Sequence, residues 1–125
     1  MQSNGGNTTR LEMAHVLFMD VVGYTRLSLE QQHACIEELQ ALVRGTPTFQ
    51  AAEQDESLLS HPSGDGMALA FFDDPTAPAR CALEIADRMR GPQRIELRMG
   101  VHSGPITRGQ DINGMHNVRG QAINM

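Results

Sequence analysis

The chain has 125 residues, 40% hydrophobic and 20% charged, with a net charge of −5, 12 glycines, 8 methionines and 2 cysteines. That is enough chain for one globular domain with a real core, and the composition excludes a disordered polymer. The negative balance weighs against a nucleic-acid partner, whose phosphates call for a basic surface. No run of about 18 apolar residues is present, so this segment carries no membrane-spanning helix, and no signal peptide is visible.

Residues 1–10 are polar and contain two glycines, which predicts a flexible tail. His15 to Val22 is an apolar run interrupted by Asp20, short enough for a buried strand. A helix is expected from Thr25 to about Arg44, with Cys35, Leu39, Leu42 and Val43 on one face and Gly45 and Pro47 ending it. Residues 49–56 are polar and ambiguous. Leu58–His61 and Met67–Phe72 predict two strands joined at Gly64-Asp65-Gly66, an Asp-Gly hairpin signal. Asp73-Asp74-Pro75-Thr76 ends that hairpin and opens a second helix, with Ala79, Ala82, Ala86 and Met89 at helical spacing and Gly91-Pro92 as terminator.

Ile95 to His102 reads as a fourth strand, with Ile95, Leu97, Met99 and Val101 on one side and Glu96, Arg98 and His102 on the other. Gly109 to Arg119 is a loop rich in Gly, Asn and Asp, and 120–125 could open a helix. The order β-α-β-β-α-β predicts an α+β domain with a ferredoxin-like sheet and its helices on one face. Cys35 and Cys81 have no metal-ligand spacing and read as small buried hydrophobes of a cytoplasmic protein. His15, His33 and His116 also lack ligand spacing, His102 reads as a packed structural histidine, and Met67 and Met99 read as core filler.

Two acidic positions carry chemistry. An unpaired carboxylate is costly inside an apolar strand, so Asp20 calls for a cation. Asp65 alone has an ordinary reading as turn chemistry. Together, at neighbouring strand ends, they would form a hard oxygen site suited to Mg²⁺ or Mn²⁺ and a triphosphate. In such a site the metal activates a hydroxyl nucleophile and neutralises the leaving oxygens, and phosphoryl transfer is then mostly positioning.

Phe-x-Asp-x-x-Gly-Tyr-Thr at 18–25, Gly-Asp-Gly at 64–66, Arg-x-Gly-x-His-x-Gly-Pro at 98–105 and Asn-x-x-Gly-x-x-x-Asn at 117–124 together resemble the class III nucleotide cyclase catalytic domain. Each motif alone is weak; four in order, matching from about His15 to Met125 within a domain read over residues 11–125, are specific. The resemblance implies a head-to-tail homodimer with active sites at the interface. It implies that Asp20, Asp65 and the backbone carbonyl of Val21 hold two Mg²⁺ or Mn²⁺ ions, and that the amides of Gly23, Tyr24 and Thr25 at a helix start cradle phosphates. It further implies that Arg98 meets phosphate charge, that Asn124 acts on the ribose and transition state from the partner subunit, and that His61 and Asn117 stand where the family reads the base.

The sequence departs from the family at two points. The family's transition-state arginine falls at position 128, and a further strand and helix follow there, so the resemblance implies a domain that is C-terminally incomplete at residue 125. His61 and Asn117 match neither the adenine-reading nor the guanine-reading pairs, which leaves ATP and a pyrimidine triphosphate level as substrates, the latter as in cyclases of antiphage defence. These departures also keep open a catalytically degenerate cyclase-like module serving dimerisation or regulation. A diguanylate cyclase is a distant third, because Ser63-Gly64-Asp65-Gly66-Met67 is not its Gly-Gly-Asp-Glu-Phe turn.

Overall fold

The computed structural model describes residues 11–91 and 95–107. The expected tail, the loop after residue 107, Asn117, Asn124 and the segment 120–125 lie outside the described residues.

Strand β1 (Leu11–Val21) is followed by a single 3₁₀ turn at Tyr24–Arg26, helices α1 (Leu29–Arg44) and α2 (Pro47–Gln54), strands β2 (Leu58–Ser63) and β3 (Gly66–Phe71), helix α3 (Ala77–Arg88) and strand β4 (Leu97–Thr107). The strands form one antiparallel sheet in the order β2-β3-β1-β4. This is the expected ferredoxin-like α+β architecture, with β1 and β3 at its centre. Among the described residues no helix is long and apolar enough to cross a membrane.

Alternation along the strands gives the sheet two faces. On one, Leu17, Met19, Val21, Met67, Leu69 and Phe71 join Leu39, Leu42 and Val43 of α1, Phe49 and Ala52 of α2 and Cys81 and Ile85 of α3 in the main core. On the other, Ala14, Val16, Phe18, Ala68, Ala70 and Ile106 form a second buried cluster whose described members all come from the sheet.

Several boundaries differ from the sequence reading, each for a local reason. The first helix starts at Leu29, not Thr25, because Ser28 and Gln31 form a reciprocal capping box. Pro47 opens a new helix, α2, with Thr46 as its cap, so the ambiguous stretch 49–56 is mostly helical. Glu84 of α3 ties that helix down by accepting hydrogen bonds from Thr48 N at 2.9 Å and Thr48 Oγ1 at 2.7 Å. The buried stripe of α3 is Pro78, Cys81 and Ile85, with Ala82 and Met89 half-buried; Ala79 and Ala86 face solvent.

Strand β4 continues past His102 through Ser103-Gly104-Pro105, a tripeptide that looks like a turn, because proline is tolerated on a strand at the border of a sheet. The apolar side of β4 does lie on the helix face, but Ile95, just before the strand, is its only buried member. Leu97 is half-buried, and Met99 and Val101 remain exposed, so Met99 is not core filler while Met67 is. Both cysteines are free thiols, Cys35 half-buried and Cys81 buried; burial pushes the Cys81 thiol pKa up, against the hydrogen bond it shares with Thr46.

Candidate active site

The site begins at the end of β1. Asp20 is opposite Gly66 on β3 and Arg98 on β4, and Ser63 on β2 completes this row across the sheet. Directly opposed residues of antiparallel strands point to the same face. Asp20, Arg98 and Ser63 therefore share the face that carries the second cluster, away from the helices. His61, opposite Ala68 one row further along, lies on that face as well. Among the described residues, the hydroxyl of Ser63 is buried without a hydrogen-bond partner.

Asp65 reaches this corner through backbone. Gly64 and Asp65 are the two residues between β2 and β3, and Val21 N donates to Asp65 O at 2.8 Å, locking the turn onto β1 one residue beyond Asp20. Neither loop residue takes a positive φ, so this is not the primed turn that an Asp-Gly signal predicts. Gly66 is needed for a different reason: a Cβ there would overlap the Met19 carbonyl oxygen and come within 2.7 Å of Asp20 Cα. The glycine permits β1 and β3 to close together where the two carboxylate-bearing residues meet.

Arg98 Nε donates to Asp20 Oδ1 at 3.0 Å; the arginine side chain is 73% exposed and the aspartate 19%. With the arginine so open to solvent, the pair contributes about 1 kcal/mol. Its chemical content is larger than its energy, since it shows the Asp20 oxygen already satisfied by a cation. Among the described residues no group of three His, Cys, Asp or Glu stands together as a metal cage. The acidic residues whose backbones come together here, Asp20 and Asp65, carry hard oxygen donors, of a type that fits Mg²⁺ or Mn²⁺ rather than a soft metal.

Gly23, Tyr24 and Thr25 follow directly. Gly23 has φ 73°, and the turn closes by Arg26 N to Gly23 O and Leu27 N to Tyr24 O, both 3.1 Å. These three residues therefore belong to an isolated 3₁₀ turn and not to the start of α1, which Ser28 caps separately. Any anion held there meets turn amides without the dipole of a long helix behind them. Tyr24 packs on the main core, and Gln32 Nε2 donates to the Tyr24 carbonyl, so the turn is anchored.

His102 lies on the same face as Asp20, opposite Val16, and its ring runs beside Gly104, as expected of a packed histidine. His15 Nδ1 pairs with Ser103 Oγ at 2.8 Å on the helix face. The sequence reading missed Ser63 as a member of the row; its only signal was position, two residues after His61. A hollow of about 480 Å³ along α3, lined by Arg80, Leu83, Glu84, Ala86, Asp87 and Arg90, shares no residue with this corner.

No protein-family model matches the chain, and no curated protein matches its sequence. Among solved structures, a bacterial light-regulated adenylyl cyclase is similar with a TM-score of 0.62 at 10% identity, over 93% of this chain and 73% of that one. An adenylate/guanylate cyclase/hydrolase from Silicibacter pomeroyi is similar with a TM-score of 0.56 at 29% identity, over 82% of this chain. The present chain spans 62% of that protein's length. The fold is thus that of a nucleotide cyclase catalytic domain. Within that class, the likeness is consistent with the class III domains whose motifs the sequence resembles.

Proposed function

We propose that the protein is a nucleotide cyclase that converts a nucleoside triphosphate into a 3′,5′-cyclic nucleotide and pyrophosphate. The ribose 3′-oxygen attacks the α-phosphorus, the bond to the β-phosphate bridging oxygen breaks, pyrophosphate departs and the hydroxyl proton passes to solvent. The observation that carries this reading is the meeting of Asp20 with the Asp65 turn at one corner of the sheet, held by the Val21–Asp65 backbone bond and permitted by Gly66.

In this reading Asp20, Asp65 and the Val21 carbonyl hold Mg²⁺ or Mn²⁺, which when bound supply charge neutralisation and activation of the hydroxyl. The amides of Gly23, Tyr24 and Thr25 bind phosphate oxygens, and Arg98 adds a guanidinium on the same face. His61 stands two strands from Asp20, roughly 10 Å across the sheet at about 4.8 Å per strand, a span suited to a base whose triphosphate lies at Asp20. Histidine donates or accepts, which is compatible with ATP or a pyrimidine triphosphate. Asn117 and Asn124 complete the assignment, Asn124 from the other subunit of a head-to-tail homodimer. The setting is second-messenger signalling, or antiphage defence, in the cytoplasm.

The test is incubation of the purified full-length protein with ATP, GTP, CTP and UTP separately, with Mn²⁺, and chromatographic separation of products. A cyclic product from ATP or one pyrimidine triphosphate is expected, reduced at least about 10²-fold by Asp20→Ala or Asp65→Ala. Absence of cyclic product from all four would overturn the reading. It would favour the second one, a cyclase-fold module without catalysis, in which the Arg98–Asp20 pair is purely structural.

A further inference from the structure

Asp20 is the central acidic group of the site, and its Oδ1 is held by Arg98 Nε at 3.0 Å. The two residues are direct register partners on β1 and β4, so the guanidinium needs no long excursion to reach the carboxylate. The arginine is 73% exposed and anchored at one end by its strand, on the face that also holds His61. A guanidinium and a divalent cation cannot both occupy one carboxylate lobe at full strength, because their charges repel and the oxygen's lone pairs are shared.

We infer that Arg98 is an exchangeable counter-ion of Asp20: it neutralises the carboxylate when no divalent cation is bound, is displaced when one arrives, and is thereby released to a triphosphate. This rests on the reading of Asp20 as a metal ligand and adds to it a coupling. One side chain opposes metal binding to the empty protein and favours phosphate binding to the metal-loaded protein. Metal and triphosphate then bind with positive cooperativity, each raising the affinity for the other by the same factor. The exposure of the arginine makes the exchange feasible, since a guanidinium open to water leaves its partner at little cost.

The experiment measures Mn²⁺ binding to nucleotide-free protein by the electron paramagnetic resonance of free Mn²⁺, for the wild type, Arg98→Met, Arg98→Lys and Asp20→Asn. Inorganic tripolyphosphate binding to the Mn²⁺-loaded proteins follows by calorimetry. Arg98→Met is expected to bind Mn²⁺ about two- to fivefold more tightly than the wild type, the range an exposed ion pair can supply. The same protein should bind tripolyphosphate about tenfold more weakly. Arg98→Lys, which keeps the charge, should hold Mn²⁺ close to the wild-type affinity.

Unchanged or weaker Mn²⁺ binding by Arg98→Met, with binding lost in Asp20→Asn, would overturn the exchange while leaving Asp20 as a ligand. Equal tightening by Arg98→Met and Arg98→Lys would also overturn it, because bulk and not charge would then be responsible. Wild-type Mn²⁺ binding by Asp20→Asn would instead remove the metal reading itself.

Discussion

The two faces of the sheet are built from the same four strands but to different ends. The helix face presents large side chains, Leu17, Met19, Leu69 and Phe71, which are almost fully buried against α1, α2 and α3. The other face buries a smaller cluster, in which Ala14, Ala68 and Ala70 surround Val16, Phe18 and Ile106, and gathers charged and polar groups at one end as Asp20, Arg98, His61 and Ser63. Bulk on the first face supplies stability through buried apolar area. At the polar end of the second, Gly66 lets β1 and β3 close together beside Asp20. Substitutions on the helix face should therefore be read out as stability, and those at the polar end of the other as binding.

The strongest way to break that contrast is to remove bulk from the helix face. Leu69→Ala should cost about 2–5 kcal/mol of unfolding free energy in a denaturant titration. His61→Ala, partly exposed on the other face, should cost less, about 1 kcal/mol, while altering nucleotide preference. Equal losses for both would end the distinction.

Glycines sharpen it next. Gly66→Ala should destabilise by roughly 1–3 kcal/mol or more and spoil Mn²⁺ binding, since the overlap is with β1 backbone that cannot yield. Gly45→Ala meets first the guanidinium of Arg88, the end of a flexible side chain and not backbone, and should lower the melting temperature less than Gly66→Ala.

Smaller still, Ser28→Ala should cost about 1 kcal/mol by removing the cap of α1. It should leave the 3₁₀ turn at Gly23–Arg26 intact, as hydrogen exchange would report.

The smallest effect is acidic. Hydrogen bonds from Arg80 and then Thr76 lower the Asp74 pKa from 3.8 to about 2. A depressed carboxylate stabilises the fold above its unfolded value, so this contribution is present above about pH 4 and disappears as pH falls toward 2. Exposure to solvent keeps it slight. Asp74→Asn should flatten the stability profile only in that window.

The pattern of apolar runs and turn residues was enough to lay out β-α-β-β-α-β, the hairpin at Gly64-Asp65 and the one-sided helix layer. The capping box at Ser28–Gln31 and the Thr46-Pro47 helix start were also written in the sequence, as short side-chain-to-backbone signals. They were obscured because Thr25 and Pro47 offered competing local readings. The edge extension of β4 through Pro105 had no local signal, since only the partner strand decides whether such a tripeptide is extended.

Residue identity alone therefore determined the elements, their order and the two acidic positions, because helical and strand periodicities and glycine punctuation act over a few neighbouring residues. Tertiary structure alone decided that Asp20 faces Arg98 and Gly66 in one row, that the Asp65 turn is bonded to β1, and that Met99 lies open while Met67 is buried. Those outcomes depend on register between strands far apart in the chain, and a shift of one residue would have sent every one of these side chains to the opposite face.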